Sequence, residues 1–195
     1  MKAFAQACRA IAATSSKNAK IEFVSDYLKT LDDADLEAAT RFFTGNPFAA
    51  RDQRNLNLGG RAIVSVAESV WGFTGAQLSA GYRVTGDLGS ALGPLAKPSG
   101  DLMLFGHDSL SPSTLKARFD EIADATGKNA GKRRESILEG IFRSCTDALE
   151  ATYVIKIITG DLRIGLREGL VHDAIALAFD STHRAVHREI GRAHV

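Results

Sequence analysis

The sequence predicts an all-α fold of about ten helices, packed as irregular helical pairs rather than as one regular bundle. Nearly every periodic segment of the 195-residue chain repeats its apolar residues at intervals of three and four, the spacing of one helix face. Strand-type alternation with turn dipeptides is almost absent, and neither Asn-Gly nor Asp-Gly occurs. At this length, and with 45% hydrophobic residues, the chain can bury a sizeable core in one large domain or two small ones.

Apolar residues at helical spacing predict four helices in the first half of the chain. They cover residues 3–13, 21–31, 35–43 and 62–70. Gly45 and Pro47 stop the third helix, and the polar run 49–60 is predicted to be a loop. The fourth helix reaches Trp71, a predicted core residue, and Thr74-Gly-Ala-Gln77 fits a capping box that starts the next helix.

In the second half, glycines and prolines up to Gly100 predict only short helices and turns. Ser111-Pro112 then predicts a helix start, with serine as N-cap and proline at the first helical position. Four apolar stripes follow, made of Leu115, Phe119 and Ile122; of Ile137, Ile141 and Cys145; of Leu149, Tyr153 and Ile157; and of Leu170, Ala174, Ile175 and Phe179. Ser181 is predicted to cap a last helix that runs to about Arg192.

Composition excludes several classes of protein. No apolar run approaches the roughly 20 residues of a membrane span, and the N-terminus lacks the continuous apolar run of a signal peptide. The net charge of +1 excludes a uniformly basic coat for nucleic acid and leaves only local patches. Cys8 and Cys145 lie in apolar helical contexts, which predicts buried free thiols rather than a disulfide.

The clearest chemistry lies in a turn over residues 159–167, the central turn, where an apolar helical run ends at Thr159-Gly160 and a second helix begins near Arg167. The turn carries Arg163 and Arg167, with Gly160 and Gly165 beside them. Glycine lets a backbone approach a ligand closely, and arginines and the amides of a new helix favour an anion. The turn therefore predicts a phosphate site. From spacing alone, a tight helix–helix turn with solvated arginines is the alternative.

A second basic stretch, residues 127–134 or the basic loop, contains four cations and no acid: Lys128, Lys132, Arg133 and Arg134. It is not a P-loop, because three residues instead of four separate Gly127 from Gly131, and Arg133 stands where Ser or Thr would hold Mg²⁺. A loop that grips a phosphate through its amides and through Lys132, Arg133 and Arg134 fits the sequence better.

The sequence shows no evident catalytic constellation. His183 and His187 share a predicted helix face, but no third metal ligand accompanies them, so a solvated or DNA-facing pair is predicted. The paired carboxylates Asp32-Asp33 are predicted to lie in a solvated cap region.

One short motif occurs twice. Thr85-Gly-Asp-Leu88 recurs as Thr159-Gly-Asp-Leu162, in both cases after an apolar and basic segment. The echo arises by chance, or it marks an internal pseudo-duplication that places two similar turns on one face. The sequence leaves both explanations open.

Five stretches of the second half together carry a family resemblance. They are Leu115-Lys-Ala-Arg-Phe-Asp-Glu-Ile-Ala123, the basic loop, Ile137-Leu-Glu-Gly-Ile-Phe142, Gly160-Asp-Leu-Arg-Ile-Gly-Leu-Arg-Glu168 and Val171-His-Asp-Ala-Ile-Ala176. They resemble the N-terminal DNA-binding domain of ATP-dependent DNA ligases, and Leu-Arg-Ile-Gly-Leu after an apolar helix is quite specific to that family. The first half resembles it more weakly, through Phe43-Thr-Gly-Asn-Pro-Phe48 and Gly86-Asp-Leu-Gly89.

The resemblance implies a single helical domain over residues 1–195 that lies against the minor groove of nicked duplex DNA. By similarity, one phosphate-contacting turn contains Gly160, Arg163, Gly165 and Arg167, and the other is the loop with Lys128, Asn129, Ala130, Lys132, Arg133 and Arg134. Arg83 is a further candidate in the first half. Asp161 departs from the family pattern, and its carboxylate is predicted to point away from the phosphate.

A ligase also needs a nucleotidyltransferase core, whose signature Lys-x-Asp-Gly is absent from this chain. We therefore expect a fragment that does not seal DNA alone and that ends in the lead-in to that core, Gly191-Arg-Ala-His-Val195. No cofactor is expected in the fragment, whereas ATP and Mg²⁺ are expected for the full-length ligase. The expected partners are nicked double-stranded DNA and the adenylation and OB-fold domains of the same protein, without a membrane. The expected location is cytoplasmic, or nuclear in a eukaryote.

The rival interpretation is a helical scaffold for protein–protein interaction that does not bind DNA. The near-neutral net charge supports it, and Leu162-Arg-Ile-Gly-Leu166 argues against it. It predicts a contiguous exposed apolar patch and no salt-dependent binding of DNA.

Overall fold

The computed structural model describes residues 1–49, 51–97 and 109–180, and within them it contains α-helices, one short 3₁₀ helix and no strand. The predicted all-α class is therefore confirmed. In chain order the helices are α1 (Lys2–Ala12), α2 (Lys17–Leu28), α3 (Asp33–Phe43), α4 (Gly60–Trp71), α5 (Gly75–Thr85), α6 (Leu88–Leu92), α7 (Pro112–Asp124), α8 (Ala130–Ser144), α9 (Ala148–Ile158) and α10 (Glu168–Ala178). The 3₁₀ helix, Gly93–Leu95, follows α6 directly. None of the described helices is long and apolar enough to cross a membrane.

Side-chain caps explain where most of these helices begin. The residues that accept a hydrogen bond from a first-turn amide are Ser16, Asp32, Thr74, Asp87, Ser111 and Asp147. The predicted capping box at Thr74 and the predicted helix start at Ser111-Pro112 are both confirmed. Helix α3 begins two residues before the predicted Asp35, because Asp32 caps it.

Aromatic side chains are the largest of those fully buried in the core that these helices enclose. The rings of Phe4, Tyr27, Phe42 and Phe43 pack against one another with centroids 4.7–6.2 Å apart. Trp71 is buried against Phe142 at 4.9 Å, so its predicted place in the core is confirmed. Offset and edge-to-face contacts of this kind stabilise a core beyond the area they bury.

The two cysteines are buried free thiols, as predicted. Burial raises the pKa of both the Cys8 and the Cys145 thiol. Because a thiol that stays protonated is a poor nucleophile, both cysteines contribute to packing rather than to chemistry.

The helices pack as two groups of four. Helices α1 and α2 pack against α9 and α10, and helices α3 and α4 pack against α7 and α8. The N-terminal ammonium of Met1 lies 3.3 Å from the buried Glu150 carboxylate, and the Ser113 amide donates to Asp35 at 2.8 Å. These contacts align the starts of α1 and α9 and of α3 and α7. The two loops of each group therefore lie at the same end of that group.

Helix α6 packs closely on α9 and carries α5 on its outer side. A Cβ atom at Gly89 would lie 2.7 Å from the Thr152 carbonyl oxygen, and one at Gly93 would overlap the Thr152 hydroxyl. Only glycine permits this approach. Helix α5 has no buried residue, and its Gly81 meets Ala91 of α6.

Some predictions fall outside the described residues. They are the end of the Gly- and Pro-rich segment at Gly100, the last helix from Ser181 to Arg192, the pair His183 and His187, and residues 191–195.

Candidate nucleic-acid interface

The central turn begins where the prediction placed it, at the end of α9. Gly160 adopts φ +70°, and the Asp161 amide folds back to donate to the Lys156 carbonyl at 2.9 Å. A left-handed residue followed by such a bond is a common way to end a helix. Helix α10 then starts at Glu168 with Arg167 as an N-cap whose side chain makes no capping bond.

Burial alternates along the turn. Leu162 and Ile164 are buried, whereas Arg163, which lies between them, and Gly165, which follows Ile164, are exposed. Arg163 has φ +50° and Gly165 has φ +61°, which are left-handed conformations that arginine adopts rarely. The two apolar anchors therefore hold the backbone in a shape that presents Arg163 to solvent.

A buried lysine holds the turn from behind. Nζ of Lys20, on α2, donates to the carbonyl oxygen of Ile164 at 2.8 Å and to that of Gly165 at 2.9 Å. Only 8% of the Lys20 side chain is exposed. The α9–α10 turn is thereby tied to the first turn of a helix from the far end of the chain.

The Asp161 carboxylate, which was predicted to point away from a bound phosphate, contacts one of the arginines. Nε of Arg163 donates to Oδ2 of Asp161 at 2.7 Å, and this bond raises the pKa of Arg163. Both side chains are about half exposed. The two residues are two positions apart on a turn whose left-handed Arg163 brings them together, so Asp161 competes with any anion for this guanidinium.

Two other glycine-containing turns lie next to the central turn. A Cβ atom at Gly45, just after α3, would lie 3.7 Å from the Gly160 carbonyl oxygen. One at Gly86, just after α5, would lie 3.7 Å from Nη1 of Arg163. The ends of α3, α5 and α9 therefore lie side by side. Exposed Arg83 is close in sequence to Gly86, and its Nε makes a long 3.4 Å bond to the Ser79 carbonyl.

The two Thr-Gly-Asp-Leu copies are thus neighbours, but their aspartates differ. Asp87 is buried, caps α6 through the Ser90 amide and pairs with Lys156 at 3.0 Å. Asp161 instead lies at the surface with Arg163. Thr-Gly ends a helix in both copies, whereas the aspartates that follow have different partners.

A stronger repeat, which the sequence reasoning missed, lies between α3 and α4. Leu56-Asn57-Leu58-Gly59 matches Leu162-Arg163-Ile164-Gly165, and Asn57 has φ +49° beside the +50° of Arg163. Leu56 is buried and Asn57 exposed, as in the central turn. Both turns follow a helix that ends in Thr-Gly and lead into a helix without a side-chain cap. The signal was the pattern Leu-x-Leu-Gly or Leu-x-Ile-Gly after Thr-Gly, at unequal spacing.

We call residues 56–59 the first-half turn. A polar cleft of about 560 Å³ lies between it and the central turn, and its lining includes Asn46, Asn55, Asn57 and Thr159. The exposed Arg61 follows at the start of α4. Two turns that share a sequence pattern and the left-handed residue at its second position, but not the φ of the final glycine, therefore flank a polar cleft.

The basic loop joins α7 to α8. Gly127 has φ +83°, and the exposed residues are Lys128, Asn129, Lys132 and Arg133, with Ala130 half-buried. Helix α8 begins at Ala130 after an N-cap, Asn129, that makes no side-chain bond. No carboxylate within the described residues forms an ion pair with Lys128, Lys132 or Arg133, so these charges and the first amides of α8 face solvent together.

Arg134, a predicted contact, is directed inward. Its Nη2 donates to the Ala125 carbonyl oxygen at 2.6 Å and its Nε to that of Ile122 at 3.2 Å. These carbonyls belong to the end of α7, where the regular i+4 partners are missing, although the Ile122 carbonyl also accepts from the Ala125 amide at 3.3 Å. Arg134 therefore closes the end of α7, and the exposed cations of the loop are the other three.

Contacts through Arg54 connect the segment just before the first-half turn to the end of α7, which precedes the basic loop. Its guanidinium contacts Asp52 and also Asp120 and Asp124 at the end of α7, at 2.8–3.0 Å. The guanidinium carbon also lies 5.0 Å from the centre of the Phe48 ring. These contacts tie the segment before the first-half turn to the last turns of α7, just before the basic loop.

The described residues give little support for a metal site. No group of three or more His, Cys, Asp or Glu residues is placed to hold a metal ion there. The scaffold interpretation predicts a contiguous exposed apolar patch. The large apolar side chains that are exposed in the described part of the chain are Phe23, Tyr82, Val84, Leu177 and Phe179. They belong to α2, α5 and the end of α10.

Comparison with known proteins gives a consistent result. A family model described as DNA ligase N terminus matches residues 1–176. A probable DNA ligase of Koribacter versatilis is 37% identical over 180 residues, which cover 92% of this chain and 30% of that protein. A DNA ligase of Archaeoglobus fulgidus is 30% identical over 186 residues, covering 95% and 33%. A probable DNA ligase of Opitutus terrae is 34% identical over 212 residues, covering 94% and 20%. The chain spans about a third or less of the length of these relatives.

Proposed function

This chain belongs to the family of DNA ligase N-terminal domains, and on that premise we propose that it is the DNA-binding module of an ATP-dependent DNA ligase. It grips the backbone of nicked duplex DNA from the minor-groove side, so that attached catalytic domains seal the nick in replication, repair or recombination. The observation that carries the proposal is the central turn, where Arg163, Gly165 and Arg167 are exposed on a backbone fixed from behind by Lys20.

The chemistry of this turn suits a phosphate. Guanidinium groups make strong charge-assisted bonds to phosphate oxygens, and Arg167 also stands at the uncapped start of α10, where free amides and the helix dipole favour an anion. Contacts to backbone phosphates position a protein on the duplex but carry no direct sequence information. Binding is therefore expected on any sequence and is expected to weaken with salt.

The basic loop supplies the second grip. Lys128, Lys132 and Arg133 are exposed, and the loop leads into α8 without a side-chain cap. Asn129 and Ala130 contribute through their position at that helix start. Arg134 supports the loop from inside, and the first-half turn adds a third backbone contact beside the central turn.

The proposal also extends to the full-length protein. The relatives are named as DNA ligases and are about three times as long as this chain or longer. We propose adenylation and OB-fold domains as partners in the same protein, with ATP and Mg²⁺ bound there. This chain would hold DNA without sealing it, in the cytoplasm or, in a eukaryote, in the nucleus.

A protein-binding scaffold is the second candidate, and one observation favours it. A groove of about 560 Å³ between α3 and α10 is lined partly by the apolar side chains of Leu36, Val171, Ile175 and Phe179. The groove does not include the central turn or the basic loop. The two candidates therefore make different predictions for the arginines.

Fluorescence-anisotropy titrations against nicked duplex, intact duplex and single strand, at two salt concentrations, test the proposal. Arg163→Ala is expected to weaken duplex binding on any sequence and to lower the slope of log affinity against log salt by roughly one unit. Arg143→Ala is the matched control, because Arg143 is an equally exposed arginine, paired with Glu139, at the far end of α8 from the basic loop. Absence of binding to any of the three DNAs at low salt would favour the scaffold, as would equal effects of both substitutions.

A further inference from the structure

Lys20 is an unusual residue to find behind a surface turn. It is a lysine with 8% of its side chain exposed, and among the described residues no carboxylate forms an ion pair with it. An ammonium group is costly to bury without compensation. Its compensation is the pair of carbonyl oxygens of Ile164 and Gly165, at 2.8 Å and 2.9 Å.

These two bonds decide which way the amides of the turn face. The carbonyl of one residue and the amide of the next belong to one planar trans peptide and point in opposite directions. Because Lys20 draws the carbonyls of Ile164 and Gly165 inward, the amides of Gly165 and Leu166 face away from it, toward the side on which Gly165 is exposed. Within the described part of the chain, neither amide has a hydrogen-bond acceptor.

Two features of Gly165 favour glycine there: the close approach of the Lys20 ammonium group and a positive φ. A Cβ atom there would lie 2.7 Å from Nζ of Lys20, and the residue has φ +61°. Any side chain would therefore meet the ammonium group and displace it from the carbonyls. Lys20 and Gly165 together fix the conformation of the turn.

We propose that Lys20 is a positioning residue for the DNA-contacting turn, a role that rests on the function proposed above. By fixing the two carbonyls, it holds the amides of Gly165 and Leu166 next to Arg163 as a cradle for one backbone phosphate. Successive free amides on a left-handed turn form such anion sites. Lys20 does not touch the phosphate; it acts through the backbone and adds positive charge behind it.

The test compares Lys20→Met with Lys17→Met by anisotropy on nicked duplex. Methionine keeps the unbranched apolar stem of Lys20, one atom shorter, and cannot make the two hydrogen bonds. Lys17, in the same first turn of α2, is exposed, so its substitution removes a similar charge without touching the central turn. Lys20→Met is expected to weaken binding roughly tenfold, the effect of losing about one charge-assisted hydrogen bond, whereas Lys17→Met is expected to change it by less than about twofold.

A double-mutant cycle with Arg163→Ala separates positioning from a general loss of charge. If Lys20 acts through the turn, its substitution is expected to cost less than about threefold when Arg163 is already alanine. Equal costs in both backgrounds would overturn the positioning role. Urea unfolding of each variant reports whether it is folded.

Amide NMR of the wild-type chain gives a readout that does not depend on a variant folding. Adding nicked duplex is expected to shift the amide signals of Gly165 and Leu166, and adding it to folded Lys20→Met is expected to leave them much less changed. Wild-type amides that do not shift would overturn the inference. If Lys20→Met binds normally while Arg163→Ala does not, the inference fails and the proposed function stands. If the wild-type chain binds no DNA, the proposed function itself fails.

Discussion

Lys156 and Asp87 form a buried ion pair, with Nζ 3.0 Å from Oδ1 and only 7% and 8% of the side chains exposed. Lys156 belongs to the last turn of α9, and Asp87 caps α6. The pair therefore ties the start of α6 to the end of α9 and keeps Gly86 beside Arg163. A structural bond thus lies directly behind the proposed DNA contact.

Asp87→Asn is expected to lower the free energy of unfolding by about 1–3 kcal/mol at pH 7, since asparagine still caps α6 but no longer offers Lys156 a charge. Burial alone would raise the pKa of Asp87, but the Ser90 amide and hydroxyl and the Lys156 ammonium together lower it below its ordinary value. A carboxyl whose pKa is lower in the folded chain stabilises above its unfolded pKa, about 3.9, and that stabilisation is lost as the pH falls through the folded value.

The difference between wild type and Asp87→Asn is therefore expected at pH 7 and expected to shrink as the pH falls below about 4. Urea unfolding at both pH values measures it. Asp26→Asn is the control, because Asp26 is largely exposed and its ion pair with Lys29 is longer, at 3.7 Å. A difference that grows in acid would contradict the assigned role of the carboxylate.

Glycines at the contact of α6 with α9 lead to a second prediction. A side chain at Gly93 would overlap Thr152 and lie 2.9 Å from the Ala148 carbonyl oxygen, which is backbone and cannot easily move. Gly93→Ala is expected to lower the free energy of unfolding by about 2–3 kcal/mol or more.

Gly140→Ala is the matched control with the opposite sign. Gly140 lies inside α8 with nothing within 4 Å of an added Cβ, so alanine is expected to raise the free energy of unfolding by about 0.5–1 kcal/mol through helix propensity. Thermal or urea unfolding measures both variants. Similar values for the two would mean that α6 does not pack on α9 as described.

Local patterns predicted the helices well but not the partners of the charged groups. Ser111-Pro112 and the box at Thr74 are signals read within a few residues, and both were confirmed. The bonds of Arg134 to Ile122 and Ala125 depend instead on how α8 packs against the end of α7. The sequence alone does not distinguish a basic loop residue that faces solvent from one that bonds to the carbonyls at a helix end.

The central turn also shows that the sequence predicts local structure but not contacts between distant residues. Its position, its helix start near Arg167 and its glycines followed from sequence spacing. Lys20 could not be associated with it, because 144 residues separate Lys20 from Ile164 and the bonds go to backbone carbonyls, which no sequence pattern marks. The first-half turn escaped notice because its distance from the preceding Thr-Gly differs from that in the central turn.

The Asp161–Arg163 ion pair leads to a third prediction, on affinity. Asp161→Asn removes the carboxylate that competes with phosphate for the guanidinium, so it is expected to tighten duplex binding roughly two- to fivefold at low salt and less at high salt. Glu139→Gln is the control, because it frees Arg143 in the same way at a distance from both basic sites. Anisotropy titration measures the change. Weaker binding by Asp161→Asn would mean that the carboxylate orients Arg163 for the phosphate instead of competing with it.

The match between Asn57 and Arg163 leads to the last prediction. The two residues share a left-handed φ of about 50° in turns of the same pattern, so arginine is known to fit this conformation in this chain. If the first-half turn also faces the DNA backbone, Asn57→Arg is expected to tighten duplex binding roughly two- to fivefold and to steepen the salt slope by about one unit. Ala76→Arg, which adds the same charge at the exposed start of α5, is expected to do neither. Equal gains from both substitutions would show that net charge alone tightens binding, and no gain from Asn57→Arg would restrict the contact in this region to the central turn.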